Sequence, residues 1–244
     1  MNGRQEMAMV AARHVAWQEI SVLTFDCYGT LIDWESGILE TLMPLLRSHG
    51  RNPAEARVLE LYGELEREAE AGRFANYKSV LRTVTDGIAA EYHFVPTAEE
   101  RNCLVDSVAR WRPFPDTVAA LRALARRFRL GVISNVDDDL FSHTRETLGV
   151  HLEWVVTAEQ VKSYKPSLAN FHEAFRQIDL PPDRLVHVAQ SLFHDIAPAN
   201  KLGIRSVWVN RRHGMSGPGA TPGAVARPDL EVPDLNSLVR LATV

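Results

Sequence analysis

The feature that most constrains the fold is a regular alternation of short apolar segments and amphipathic segments in the second half of the chain. Apolar runs rich in β-branched residues predict strands at 130–134, 152–157, 185–189 and 205–210. Helical periodicity predicts helices around them, at 117–128, 138–148, 168–177, 197–202 and 235–242. Such alternation is typical of a parallel sheet with helices on both faces. We therefore predict an α/β fold.

An earlier segment, 21–33, adds a strand to this sheet and places an acid at its end. Val22–Phe25 form an apolar, β-prone run, and Asp26 follows directly, ahead of Gly29 and Thr30. Gly29 permits a sharp turn that brings backbone N–H groups close to Asp26. An acid at the carboxyl end of a parallel strand lies where open α/β sheets bind ligands. A lone Asp in this place would more often only cap the next element.

Between 36 and 112 the pattern is helical, and no convincing strand interrupts it. Four helices are predicted. Pro44 should kink the first or end it early, and Asn52-Pro53-Ala54-Glu55 resembles the start of the second. The third spans 77–91, and the fourth opens with a capping box at Thr97 and runs to about 111. The second helix has an apolar face, and its other face is Glu-rich, with Glu60, Glu64, Glu66, Glu68 and Glu70.

Composition limits the classes of partner. The formal net charge is −4 and no basic stretch stands out, so nucleic acid is not expected as a partner. Cys27 and Cys103 form no disulfide framework and suit a reducing cytoplasm. No apolar stretch reaches membrane-spanning length, and 1–19 lacks the long apolar stretch of a secretory signal. We expect a cytoplasmic protein without a membrane partner, in which 1–19 is an N-terminal extension. The sequence is compatible with a homodimer but does not establish one.

Polar side chains follow the predicted strands at the points where these strands end. Adjacent strands of one parallel sheet bring such ends together. A nucleophile or base, small donors, a cation and a second carboxylate would then share one crevice. The residues concerned are Asp26, Ser134, Asn135, Lys165, Gln190, His194 and Asp195.

Structural roles compete with chemical ones for several residues. Tyr28 would serve equally well in packing between the sheet and the helical segment or in catalysis. Ser134-Asn135 has the composition of a turn, and His194 that of an ordinary loop histidine. Cys27 is a neighbour of Asp26, but its side chain is expected to point into the sheet. The acidic run 137–139 has a metal-binding composition, yet a solvated helix N-terminus is the favoured interpretation.

Taken in order, Asp26-x-Tyr-Gly-Thr-Leu, Ser134-Asn135, Lys165-Pro166 and Asp195 resemble the four motifs of the haloacid dehalogenase superfamily. Pro166 also selects Lys165 over its neighbour Lys162. The resemblance spans nearly the whole chain and is greatest to the (S)-2-haloacid dehalogenases and their L-azetidine-2-carboxylate hydrolase relatives. It implies a Rossmann-like core at 20–35 and 113–244, and a helical cap at 36–112.

The resemblance also implies roles for the site residues. Asp26 would be the nucleophile that forms an ester with the substrate carbon. Lys165 would lower the pKa of Asp26 and keep it ionised, Thr30 would hydrogen-bond it, and Asp195 would activate the water that cleaves the ester. The substrate-binding residues would be Cys27, Tyr28, Ser134, Asn135, Gln190 and His194. The expected substrate is a small 2-substituted carboxylic acid that loses a halide or opens a C–N bond.

Two positions depart from the phosphatases of the same superfamily. Tyr28 stands where these carry a second Asp, and Gln190 stands where they carry an acid for Mg²⁺. No metal or other cofactor is therefore expected, because Mg²⁺ normally binds at least one or two carboxylates. The dehalogenases hold the halide with an Arg that would fall near Gly63-Glu64, and they carry a Tyr where this chain has Phe171. A Mg²⁺-dependent phosphatase and a non-enzymatic binding protein remain the alternatives.

Overall fold

The computed structural model describes residues 15–215, 217 and 219–243, and it centres on one parallel sheet. The strands lie in the order β3-β2-β1-β4-β5-β6, and every neighbouring pair is parallel. Their bounds are β1 Val22–Phe25, β2 Arg129–Ser134, β3 Trp154–Thr157, β4 Leu185–Ala189, β5 Arg205–Val209 and β6 Leu230–Val232. The predicted α/β fold is confirmed, and the sheet places the ends of β1, β2 and β4 side by side.

The strands are apolar on both faces, as expected for a sheet covered by helices on either side. Val22 and Leu23 are neighbours on β1 and are fully buried, yet they pack into different hydrophobic clusters. Successive strand side chains point to opposite faces, so the two clusters form the two covered layers of the core. Sequence analysis missed β6, because three residues after a Gly/Pro-rich tract carry too short a pattern to detect.

Five α-helices form the helical segment that follows β1. They are α1 Trp34–Ser48, α2 Glu55–Glu70, α3 Tyr77–Glu91, α4 Ala98–Arg101 and α5 Cys103–Ser107. The sheet is flanked by α6 Thr117–Leu124, α7 Asp138–Leu148, α8 Ala158–Val161, α9 Leu168–Ile178, α10 Ala197–Leu202 and α11 Leu235–Ala242. The structure describes residues 15–19 of the predicted N-terminal extension, where Val15 and Trp17 are buried; residues 1–14 lie outside the described part. No helix in the described ranges is long and apolar enough to cross a membrane.

The helical segment differs from its prediction in three places. Helix α1 continues past Pro44 to Ser48, because Pro44 lies on the exposed side, where water can satisfy the carbonyl that loses its partner. Helix α2 begins at Glu55 after an Ala54 N-cap without a side-chain bond, so Pro53 lies outside it. The predicted fourth helix breaks at Asn102 into α4 and α5. The predicted α3 and the Thr97 capping box are confirmed.

Several buried polar contacts join the helical segment to the sheet domain. The Asp137 carboxylate at the start of α7 accepts the backbone N–H groups of Tyr77 and Lys78 at 2.7 and 3.0 Å. The predicted solvated helix N-terminus is therefore wrong for Asp137, which is 1% exposed, because α3 covers it. On the other side, Glu35 of α1 pairs with Arg212 and accepts the Ala220 N–H.

Helix α2 touches the loop after β5 at a glycine. A Cβ added at Gly63 would meet the Ala220 carbonyl oxygen well inside van der Waals contact. Backbone cannot move aside as a flexible side chain can, so Gly63 permits the close approach of α2 to this loop.

The Gly63→Ala variant is therefore expected to lose about 1–3 kcal/mol in free energy of unfolding through overpacking, despite the better helix propensity of Ala. Gly87→Ala on α3 is the matched control, because its Cβ would meet only the movable Leu65 side chain. Urea unfolding of both variants checks the expectation. Equal or higher stability of Gly63→Ala would show that the loop does not pack on α2 in this way.

Candidate active site

A small cavity lies where the ends of β1, β2 and β4 meet helices α1 to α3. Its volume is about 40 Å³, room for a few water molecules, since one water needs about 10–15 Å³. The residues that line it are Asp26, Tyr28, Trp34, Glu66, Glu70, Tyr77, Ser134, Asn135, Lys165, Gln190, Ser191, His194, Asp195 and Thr221. The cavity thus brings together eight of the ten site residues predicted from the sequence; Cys27 and Thr30 do not line it.

The Lys165 ammonium lies at the centre of the polar groups. Its Nζ donates to Asp26 Oδ1 at 2.8 Å, to Asp195 Oδ1 at 2.7 Å and to the Ile133 carbonyl at 2.9 Å. Lys165 is 2% exposed, Asp26 is 7% exposed and Asp195 is fully buried. An ammonium has three donors, so these three bonds satisfy the whole group and fix both carboxylates relative to each other.

The pKa values of this trio follow from burial and mutual attraction. Burial alone would lower the pKa of Lys165, but the charges of Asp195 and Asp26 outweigh it and raise that pKa. Burial would raise the pKa of Asp195, but Lys165 and the bond from His187 hold it below its ordinary value. For Asp26, burial outweighs the attraction of Lys165, and the pKa is raised. Lys165 lowers the pKa of Asp26 as predicted, but burial of the carboxyl group and the charge of Asp195 leave the pKa above its ordinary value.

A buried histidine supports Asp195 from behind. His187 Nε2 lies 2.9 Å from the same Asp195 Oδ1, and His187 Nδ1 lies 2.9 Å from Thr24 Oγ1. Asp195 Oδ2 is buried and has no hydrogen-bond partner among the residues that the structure describes. Sequence reasoning missed His187, although a histidine inside the apolar run of β4 was the available signal.

Thr30 and Arg211 position the turn that carries Asp26. The Gln190 N–H donates to Thr30 Oγ1 at 2.8 Å, and this hydroxyl donates to Asp26 Oδ2 at 2.6 Å. Arg211 donates to the Thr30 carbonyl at 3.0 and 3.1 Å and also pairs with Asp116. Asp26 Oδ2 therefore accepts a hydrogen bond from Thr30, as predicted, and Oδ1 accepts one from Lys165. Gln190 itself bonds Thr221 through its side chain at 3.1 Å.

The predicted substrate-binding residues divide into two groups. Ser134 Oγ is buried at the cavity and has no hydrogen-bond partner in the described part of the chain, so it is available to contact a ligand. Asn135 is held in place instead: its Oδ1 accepts the Lys165 N–H at 2.7 Å and its Nδ2 donates to the Lys165 carbonyl at 3.1 Å and weakly to Glu70. Cys27 is fully buried in the core, where burial raises the pKa of its thiol. Its expected orientation into the sheet explains why it does not line the cavity.

Tyr28 and His194 border the cavity as neutral groups. The Tyr28 hydroxyl lies 2.9 Å from Thr144 Oγ1, and its ring packs edge-on against Trp111 at 5.7 Å. Burial raises the pKa of Tyr28, so the phenol stays protonated. Burial lowers the pKa of His194 to about 4, so its imidazole is neutral near pH 7. The backbone N–H of His194 donates to Ser191 Oγ at 2.9 Å.

Two acids from α2 complete the cavity wall, and sequence reasoning missed both. Glu66 is 5% exposed, and its Oε1 accepts the hydroxyls of Tyr62 and Tyr77 at 3.0 and 2.7 Å. Burial raises the pKa of Glu66 to about 7, and burial together with the nearby Glu66 raises that of Glu70. Glu64 and Glu68 are exposed, as expected for the Glu-rich face of α2. The side chains at positions 58, 62, 66 and 70 instead face the interior. This i, i+4 line was the available signal.

The donor set does not fit a resident Mg²⁺ of the kind used by superfamily phosphatases. Asp26 and Asp195 both accept hydrogen bonds from Lys165, whose positive charge would repel a metal ion beside it. Tyr28 and Gln190 provide no carboxylate. Across the described part of the chain, no three or more His, Cys, Asp or Glu side chains are grouped to hold a metal ion. Mg²⁺ sites rely on carboxylates, water and substrate phosphate, so no step of the chemistry below involves a metal.

Comparison with known proteins agrees with this geometry. The family described as haloacid dehalogenase-like hydrolase matches residues 20–203. The chain belongs to the haloacid dehalogenase-like hydrolases. One relative is (S)-2-haloacid dehalogenase 1 of Pseudomonas sp. strain CBS-3, 22% identical over 79% of this chain and 85% of its own length. Another is glyceraldehyde 3-phosphate phosphatase of Methanothermobacter thermautotrophicus, 36% identical over 41% of this chain and 45% of its own length.

Solved structures of haloacid dehalogenase-like proteins share the fold. The L-2-haloacid dehalogenase of Xanthobacter autotrophicus superposes with a TM-score of 0.75 at 21% identity, covering 92% of this chain and 98% of its own. The magnesium-bound hydrolase YfnB of Bacillus subtilis superposes with a TM-score of 0.75 at 16% identity, covering 92% of this chain and 99% of its own. Identities this low establish the fold alone.

The raised pKa of Glu66 predicts a measurable pH dependence of stability. Between about pH 4.5 and 7 the folded chain keeps a proton on Glu66 that the unfolded chain has lost, so the contribution of Glu66 to stability falls as pH rises. Glu66→Gln has no such proton. Its free energy of unfolding minus that of the wild type should therefore rise by about 1–3 kcal/mol over this range and then level off.

Urea unfolding at several pH values measures this difference, with Glu68→Gln on the exposed side of α2 as the matched control. The control difference should stay flat with pH. A flat profile for Glu66→Gln as well would mean that Glu66 titrates as an ordinary surface acid.

Proposed function

We propose that this hydrolase displaces a substituent from the α-carbon of a small carboxylic acid through an ester on Asp26, without a metal. The observation that carries the proposal is the Lys165 ammonium bonded to Asp26 and Asp195 at 2.8 and 2.7 Å. A buried cation of this kind favours the charged form of a carboxylate, and a nucleophile needs that form. Without Lys165, burial alone would favour a neutral Asp26.

The two acids have different surroundings, and these suit different tasks. Asp26 follows β1 on a tight turn, with Thr30 and Lys165 fixing one oxygen each, so it is positioned to attack a carbon. Asp195 receives Lys165 and His187 on Oδ1 and keeps Oδ2 without a partner. Oδ2 would accept a proton from the water that cleaves the ester. Ser134 would donate to the substrate carboxylate.

The same positions argue against phosphate ester hydrolysis. Protonation of a leaving alkoxide needs an acid beside the nucleophile, and Tyr28 in that place is a phenol with a raised pKa whose hydroxyl is paired with Thr144. The relatives do not discriminate between the two reactions, because (S)-2-haloacid dehalogenases match 79% and 84% of the chain and a phosphatase of Escherichia coli matches 80%. The surroundings of Tyr28 are therefore what favours displacement at carbon.

The proposal predicts turnover after treatment with EDTA. The panel contains 2-chloropropionate, 2-bromopropionate, fluoroacetate, azetidine-2-carboxylate and p-nitrophenyl phosphate. We expect product from at least one carboxylic acid without metal, and a loss of at least about 10³-fold in Asp26→Asn, as for removal of a nucleophile. Asp183→Asn, at an exposed site far along the chain, is the matched control with unchanged rate.

Other outcomes would contradict the proposal. Hydrolysis of p-nitrophenyl phosphate that disappears with EDTA and returns with Mg²⁺ would identify a phosphatase. Tight binding of a small acid without turnover of any compound would identify a binding protein.

A further inference from the structure

Helix α2 places two carboxyl groups in the wall of the cavity. Glu66 and Glu70 lie one turn apart, at the i, i+4 spacing that puts side chains next to each other, and both line the cavity with Asp26. Lys165 is the one cation among the described residues that line it, and its three donors are used by Asp26, Asp195 and Ile133. The α2 side of the cavity thus has acid groups and no cation of its own.

The hydrogen bonds of Glu66 leave part of the group available. Tyr62 and Tyr77 both donate to Oε1, so Oε2 has no partner within the described residues. The two phenols fix the carboxyl group and are suited to stabilise its charged form. Burial makes an isolated charge costly here, and a cation that entered beside Glu66 would offset that cost.

Two further observations indicate a ligand in this cavity. Ser134 and Asp195 line the cavity, and Ser134 Oγ and Asp195 Oδ2 are fully buried without a hydrogen-bond partner among the described residues. Buried polar groups are normally bonded. The rings of Trp34 and Tyr77 border the same space, and aromatic faces attract ammonium groups. A ligand with a carboxylate near Ser134 and a cation near α2 would satisfy both ends.

From these observations, and on the basis of the proposed function, we infer that Glu66 and Glu70 form a subsite for a positively charged nitrogen on the α-carbon of the substrate. A departing halide would instead meet the two acids. The resemblance places the halide-binding Arg of the dehalogenases near position 63, and this chain has Gly63 there, packed under the Ala220 carbonyl. The substrate class is therefore an α-amino acid with a protonated ring nitrogen, such as azetidine-2-carboxylate. The Asp26 carboxylate oxygen would form the ester bond to the α-carbon as the Cα–N bond breaks, and the electron pair of that bond would leave on the nitrogen, which becomes a neutral amine. The charged and titratable groups that face the pair are Tyr62, Tyr77, Tyr164, Asp26 and Lys165.

The test compares two unreactive acids that differ only at the α-substituent, alanine with an ammonium and lactate with a hydroxyl. Both enantiomers of each are titrated into the full-length wild type by calorimetry at pH 7.5. We expect alanine to bind at least tenfold tighter than lactate. In Glu66→Gln/Glu70→Gln the ratio should fall to about threefold or less, and Glu68→Gln, on the exposed side of α2, should keep it. Glu70→Gln alone leaves both tyrosine bonds to Glu66 intact and should give an intermediate ratio. This single variant keeps the test decisive if the double variant does not fold.

Proton release provides a second readout. Because an entering cation favours the ionised acids, alanine binding should release protons in the wild type and not in the double variant, measured in buffers of different ionisation enthalpy. Equal affinities for alanine and lactate, or a preference that survives in the variants, would overturn the subsite while leaving haloacid turnover by Asp26 possible. Failure of alanine to bind would also overturn it, whereas the ester chemistry is tested separately by turnover on the panel.

Discussion

The shared ion pair of Lys165 with Asp26 and Asp195 is the interaction on which the site depends. Three strands of different sequence position contribute to it: Asp26 follows β1, the Ile133 carbonyl lies on β2, and Asp195 follows β4. A buried ammonium with two buried carboxylates is tolerable only when every donor is used, and here every donor is. The parallel sheet makes this possible because it brings the carboxyl ends of β1, β2 and β4 to one edge. Thr30, His187 and Arg211 then fix the acids and the turn around that centre.

The helical segment covers part of this edge and adds side chains that the edge lacks. Its α2 supplies Glu66 and Glu70, and its α1 and α3 supply Trp34 and Tyr77. Movement of these helices away from the sheet would widen the cavity of about 40 Å³ for a substrate to enter. Such a movement breaks the bonds from Asp137 to the N-terminus of α3. Their re-formation on closure would exclude water and complete the site in one step.

Much of the fold could be predicted, because the strands β1 and β4 and the helices α3, α7, α10 and α11 have strong periodic patterns. The acids and the serine at the strand ends could be predicted because parallel topology brings strand ends together, and Lys165 could be predicted because Pro166 completes the motif that the sequence resembles. What failed depended on tertiary contact. Asp137 is buried because α3 covers it, and Glu66 is buried because two tyrosines and the sheet edge surround it. The pKa of Asp26 is raised because tertiary packing buries the carboxyl group beside Asp195. None of these contacts is encoded within one element.

The central claim is that Lys165 holds Asp26 ready to form an ester with the substrate carbon. A single turnover in H₂¹⁸O, with enzyme in excess over a reactive acid from the panel, tests it most directly by mass spectrometry of the peptide containing Asp26. In the ester route water attacks the carbonyl carbon of Asp26, so the label appears in the Asp26 carboxylate and not in the product hydroxyl. Label in the product hydroxyl, with none in the peptide, would mean that water attacks the substrate directly and would contradict the account.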